Sequence, residues 1–266
     1  ASVPGQVIEC TYTESPTGRV VTCYLAAQPL GESLVKQPDF GQHDVVRHGL
    51  RLRDAPPLPM VWDKTANILY LDLNRNLDLT DDPAGVITNA FGSERYQTFR
   101  GVRLDVPTQG SVMPFLLDVT LFPMSVGLQT LLNVQVRSFW RGKATFDGHA
   151  FEVGVVESPS SEDEKLLILR PWDQHGESLS VEDDLPDAVP MPRELSLRGR
   201  TYRVECKLDT TLKPAHYRLV LQDTTAAMGE VRLTGQYLDR VVLVGDKHTV
   251  VLDQPAALER VPQGKY

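Results

Sequence analysis

Along much of this chain, apolar and polar positions alternate one by one. Tyr202, Val204, Cys206 and Leu208 fall on one face, and Thr201, Arg203, Glu205 and Lys207 on the other. That period of two is the signature of a half-buried antiparallel strand. Leu132, Val134 and Val136 alternate in the same way with Asn133 and Gln135, and residues 117–121 and 102–106 repeat the pattern. Further strands are predicted at 151–155, 217–221, 240–244 and 249–252. No stretch keeps a 3.6-residue period over three capped turns, and the 19 glycines and 19 prolines interrupt the chain as turns do. The pattern predicts an all-β protein of antiparallel sheets, in two sandwich-like or barrel-like units, with little helix. At 266 residues the chain has room for one large β unit or two smaller ones. The division suggested is an N-terminal β domain over residues 1–137 and a sandwich-like C-terminal domain over 138–266.

Three segments resemble one another: residues 98–106, 145–153 and 196–204, each reading strand, glycine turn, strand around Gly101, Gly148 and Gly199. Similar hairpins, or duplicated β units, both account for the echo. Residues 6–13 and 20–27 read as a further hairpin with Thr13 facing Val20. That register sets Cys10 opposite Cys23, as a bridge or as two neighbouring thiols, since directly opposed Cβ atoms lie about 4.5–5.5 Å apart. Cys206, on an apolar face, is expected to be buried and inert. The acidic stretches 157–164 and 182–192 read as solvated linkers, and the proline-rich segment 54–59 as an edge crossing.

Composition narrows the partners. With 41% apolar and 23% charged residues the chain is an ordinary globular sequence. Its net charge of −8 opposes binding to nucleic acid or anionic lipid. No apolar run reaches membrane-spanning length. The opening Ala1, Ser2, Val3, Pro4, Gly5 suits either a mature start after export or a shortened chain.

One segment carries recognisable chemistry. After the apolar run 68–71 come Asp72, Asn74, Asn76, Asp78 and Thr80 at alternate positions. Oxygen ligands so spaced occupy positions one, three, five, seven and nine of an EF-hand loop, where they converge on one hard cation. Leu77 stands where that loop has its glycine, and Pro83 where it has its final bidentate acid; Asp81 or Asp82 is the substitute. One reading is a weak, structural Ca²⁺ site built from Asp72, Asn74, Asn76, Asp78 and Asp82. The other is a connection whose Asx side chains cap backbone N–H groups.

The run from Leu71 to Asp82 resembles the D-x-N-x-N-x-D-L-T-D segment of secreted bacterial proteins of unknown function. The later Asp-rich loops of those proteins are degenerate here, with Arg170 in place of the first Asp and only Asp173 and Gly176 kept. Pro262, Gly264 and Tyr266 are similar to the P-x-G-x-Y turn of transthyretin-like and other Ig-like modules. The resemblance implies β structure and export to the periplasm, the cell surface or the medium. It implies no activity.

Other constellations are weaker. His43, Asp44 and His48 match no zinc spacing. Asp209 and Asp223, each followed by two threonines, lack the glycine of aspartic proteases and read as strand-end turns. No G-x-S-x-G elbow, phosphate loop or dinucleotide fingerprint is present. Trp62, Trp140 and Trp172 are each able to stack on a sugar ring or to fill a core. The expectation is an exported, non-catalytic β protein with a binding or structural role at the cell envelope, its partner a carbohydrate or another envelope protein. The alternative is a hydrolase that acts on carbohydrate or peptide through carboxylates in a cleft.

Overall fold

The computed structural model describes residues 5–15, 20–30, 33–88, 90–93, 96–108, 111–126, 129–161, 163–174, 179, 187–236 and 238–266. It is 63% strand and 3% helix, so the all-β expectation holds. The strands in chain order are β1 (Gln6–Glu14), β2 (Val21–Pro29), β3 (Val45–Leu50), β4 (Leu58–Asp63), β5 (Ile68–Leu71), β6 (Val86–Ile87), β7 (Ala90–Ser93), β8 (Tyr96–Thr108), β9 (Ser111–Val126), β10 (Gln129–Val136), β11 (Ser138–Phe146), β12 (His149–Glu157), β13 (Lys165–Pro171), β14 (Ala188–Pro190), β15 (Glu194–Leu197), β16 (Arg200–Asp209), β17 (His216–Thr224), β18 (Met228–Arg232), β19 (Arg240–Val244), β20 (His248–Asp253) and β21 (Leu258–Pro262). Each strand read from the alternation is present.

The strands form a nine-stranded sheet in the order β6-β5-β4-β3-β2-β10-β9-β8-β7, a ten-stranded sheet in the order β14-β13-β12-β11-β1-β17-β16-β15-β20-β19, and a ribbon of β18 and β21. The large sheets belong to two compact units. One holds Glu14–Ser138 with Ser158–Asp163, and the other holds Ala1–Thr13, Phe139–Glu157 and Glu164–Tyr266. A single cut after residue 137 leaves β1 with the N-terminal half; hydrogen bonding instead places it inside the ten-stranded sheet, where Cys10 pairs with Tyr217. That overturns the β1–β2 hairpin. Cys23 lies in β2 opposite Val134 of β10, and none of the three cysteines is in a disulfide. The buried outer half of β1, with Ile8 and Cys10 at 2% and 0% exposure, belongs to the ten-stranded unit's core, which a hairpin with β2 would have stripped away.

The three echoing segments prove unlike. Around Gly148 and Gly199 the chain makes two-residue hairpin turns, with Asp147 and Gly148, then Arg198 and Gly199, all at positive φ. Such turns need positive φ at both central positions, and only glycine adopts it without strain. Gly101 also has positive φ, but it lies inside the continuous strand β8, in a bulge between Phe99 and Val102, where its N–H donates to Asp118 Oδ1 at 2.9 Å.

Other departures share one cause, pairing that local polarity does not reveal. Residues 188–190 of the second acidic linker form β14, with Ala188 and Val189 buried against β13. Glu157, in the first linker, closes β12 and is buried; Lys165 Nζ lies 3.4 Å from its carboxylate, and the Tyr217 hydroxyl donates to it. Residues 182–186 lie outside the described residues. Pro59 belongs to β4, an internal strand buried on both faces, rather than to an edge.

Cores follow the alternation. In the ten-stranded unit Trp140 is fully buried, edge-on to Tyr12 and Tyr217, and its Nε1 donates to the Ala215 carbonyl at 2.8 Å. Phe146 packs edge-on against Phe151 and Tyr202. Each large apolar side chain so buried contributes about 1.5–3 kcal/mol.

Candidate functional site

The Asp/Asn loop begins where a proline interrupts a ladder. Asp72 N–H donates to Pro59 O at 3.0 Å. Pro59 has no N–H to return the bond, so the Asp72 carbonyl is left for Arg75 N–H at 3.3 Å, and the chain turns. The Asp72 side chain, fully buried, accepts from Asn76 N–H at 3.2 Å and Leu77 N–H at 2.8 Å. Each later oxygen-bearing residue then caps the N–H two residues on: Asn74 that of Asn76 at 3.0 Å, Asn76 that of Asp78 at 2.8 Å, and Asp78 that of Thr80 at 2.8 Å. The period of two in the sequence is therefore the i to i+2 period of successive Asx turns.

Asp81 gathers the amides of Asn74, at 3.2 Å, and Asn76, at 2.7 Å, while Asp82 accepts from Asn74 N–H at 3.2 Å. Leu79 anchors the loop in a cluster with Phe40 and Val61. Arg75 and Leu77 lie in the left-handed region at φ 61° and 67°; Leu77 thus makes the turn for which an EF-hand loop uses glycine. Lys36 Nζ approaches Asp78 at 3.6 Å. The Thr80 hydroxyl and N–H hold the Asp78 carboxyl below its ordinary value of 3.8. The five residues read as metal ligands thus share one loop, each carrying hydrogen bonds within it. Among the described residues, no group of three or more His, Cys, Asp or Glu is placed to hold a metal ion.

A second site is assembled from distant segments of the ten-stranded unit. A cleft of about 920 Å³ is walled by strand ends: His149 opens β12, Trp172 follows β13 in a single helical turn, Asp187 precedes β14, Arg198 sits in the β15–β16 turn, Arg240 opens β19 and Asp253 closes β20. Edge strand β19 reaches it with Arg240, and Asp187 reaches it just before edge strand β14. From the start of β19, Arg240 donates to the Leu169 carbonyl of β13 at 2.5 Å and stands 3.5 Å from Asp253 of β20. Burial lowers the Arg240 pKa, and Asp253 and Asp187 counter it.

Asp187 of the cleft ends a chain of charged side chains. Glu152, fully buried and directly opposite Arg170 in the sheet register, accepts from Arg141 Nε and Arg170 Nε, both at 2.6 Å. Arg170, also buried, reaches Asp187 at 3.4 Å. A buried carboxylate is sustained by such paired, hydrogen-bonded charges. At the rim the situation reverses. Among the described residues, the side chains of Asp173, Asp239 and Arg198 have no hydrogen-bond or ion-pair partner. Trp62 and Trp140 are core residues, whereas Trp172 is half-buried at the cleft with Lys143 Nζ 4.5 Å from its ring centroid.

The remaining candidates disperse. His43 Nδ1 meets buried Asp63 at 2.7 Å, Asp44 pairs with Lys64, and His48 is buried in β3, its pKa lowered by burial. Asp209 caps Thr211 as β16 ends, the strand-end turn expected. Cys10 and Cys206 have thiols pushed up to about 12 by burial, although Cys206 keeps some exposure. His175 and Gly176 lie outside the described residues. Comparison with protein-family models, with curated proteins and with solved structures gave no match.

Proposed function

We propose that this chain is an exported, non-catalytic binding protein of the cell envelope whose ten-stranded unit takes a carbohydrate in the cleft beside Trp172. The observation that carries this reading is the contrast within the cleft. Asp187 is tied into the ion pairs of Glu152 and Arg170, while the rest of the lining offers one half-buried indole with carboxylate and guanidinium groups that have no partner among the described residues. A ring with a hydroxyl-studded edge uses both kinds of surface, by stacking on the indole and donating to carboxylates. Export rests on the resemblance of the 71–82 segment to secreted bacterial proteins.

In this reading the Asp/Asn loop is a structural element that holds Ca²⁺ weakly through Asp72, Asn74, Asn76, Asp78 and Asp82. Its support is Leu77 in the left-handed turn at the loop's sixth position, together with four aspartates on eleven residues. The alternative is a glycoside hydrolase, favoured by the four carboxylates of the cleft. Calorimetric titration with a panel of neutral, acidic and amino-sugar oligosaccharides tests the proposal. Saturable binding lost in Trp172→Ala, with no new reducing ends, supports it. New reducing ends would replace it with the hydrolase, and no binding across the panel would end it.

A further inference from the structure

We infer that the nine-stranded unit has its own small-molecule site, a pocket for an aliphatic carboxylate anchored on Arg75. The pocket measures about 380 Å³, at the lower end of small-ligand cavities. Its walls are the apolar faces of Pro29, Pro56, Pro57 and Pro59 with Leu30 and Leu77. Prolines supply stiff apolar surface without N–H groups, so these walls lose little freedom when a ligand is enclosed. Gly49 lets the wall close. A Cβ built on it would fall 2.7 Å from Pro57 Cβ, so any side chain there drives Pro57 outward.

Among the described residues, one charged group borders this apolar space. Arg75 reaches it from the left-handed turn of the Asp/Asn loop, at φ 61°. Its Nη1 donates to the Pro56 carbonyl, and its Nη2 is buried with no hydrogen-bond partner among the described residues. A buried guanidinium nitrogen left without an acceptor is uncommon in folded proteins. Arginine presents its nitrogens as a planar fork that matches a carboxylate's two oxygens. A carboxylate on an aliphatic body of pocket size satisfies both features: the body fills the proline walls, and the oxygens take Nη2 as the guanidinium turns from Pro56.

The test uses cyclohexanecarboxylate, with cyclohexylmethanol and cyclohexylmethylammonium as controls, followed by NMR titration of the whole chain. Saturable shifts of signals from Leu30, Leu77 and Gly49 are expected with the carboxylate, and binding at least about tenfold weaker with either control. Arg75→Gln should reduce carboxylate affinity by about tenfold or more. Leu30→Trp, which fills the pocket and keeps the guanidinium, should abolish binding. Equal binding of acid and alcohol, or an Arg75→Gln variant that is folded by its NMR spectrum and binds as well as wild type, overturns the assignment. So does an absence of saturable shifts in the wild type. If Arg75→Gln does not fold, the Leu30→Trp result decides, and retained binding there also overturns it.

Discussion

Two places in this molecule each gather four aspartates, and they use them in opposite ways. In the loop, Asp72, Asp78, Asp81 and Asp82 are near neighbours in sequence, and their oxygens are taken up by backbone N–H groups and asparagine amides of the same loop. In the cleft, Asp173, Asp187, Asp239 and Asp253 arrive from separate segments; two are matched by arginines, and two have no side-chain partner among the described residues. Oxygens spent on the chain's own N–H groups stabilise a local turn. Oxygens brought together by the sheet and left open are available to something else. Density of chemistry in a sequence is thus a poor guide to availability in space.

The sharpest way to break the comparison is to remove the buried carboxylate of the network that ends at Asp187. Glu152→Ala leaves Arg141 and buried Arg170 without their shared carboxylate. Losing one partner of a buried pair costs about 3–5 kcal/mol, a fall of roughly 10 °C in the unfolding midpoint. Thermal unfolding followed by circular dichroism checks it, and a loss below about 1 kcal/mol would show that the network is not needed. At the open rim the expectation inverts. Trp172→Ala should weaken oligosaccharide binding by about 2 kcal/mol or more while shifting stability by no more than about 0.5 kcal/mol; calorimetry and thermal unfolding read the two separately.

In the loop, Asp72→Ala strips acceptors from two N–H groups and should cost about 1–3 kcal/mol. Calcium at ten times a dissociation constant of about 10⁻³ M should stabilise the wild type by about 1.4 kcal/mol over chelator, and this variant hardly at all. A midpoint indifferent to calcium makes the loop a purely Asx-turned connection. The smallest effect concerns Asp78, whose carboxyl is held below 3.8 by Thr80. A carboxyl lowered on folding contributes stability that is present above its unfolded pKa and is lost as pH falls through the folded one. Thr80→Ala should therefore raise the Asp78 pKa toward 3.8 and lessen the acid dependence of stability below about pH 4, as NMR titration of its carboxyl carbon would show.

Much of the fold was legible because burial on one face of a strand leaves a period of two in the sequence, as in β10 and β16. The loop was legible for a related reason, since successive Asx turns also repeat every two residues, and a calcium loop shares that spacing. What escaped depends on partners far along the chain. Nothing near Cys10 announces Tyr217, and Glu152 inside an apolar strand is intelligible only beside Arg170. The cleft escaped most fully: of its residues only Trp172 and Asp173 drew attention beforehand, because Arg198, Arg240 and Asp253 are unremarkable until strand ends bring them together. The signal in the sequence was a polar residue at or beside a strand end, as Asp187, Arg240, Asp253 and Gln254 are, but such residues also serve ordinary turns.

The placement of β1 has a consequence for how the chain is put together in time. On a growing polypeptide it is made before β2–β21, yet its neighbours in the sheet are β11 and β17. Every strand of the nine-stranded sheet emerges in between, so that unit can complete itself while β1 waits unpaired. Topologically the nine-stranded unit is a guest spliced into a ten-stranded host, with only the short return of Ser158–Asp163 coming later. A host interrupted near its beginning has a high separation between partners and closes slowly. Release of residues 139–266 as a separate fragment would leave a sheet missing a middle strand, with β11 and β17 exposing unpaired edges toward each other.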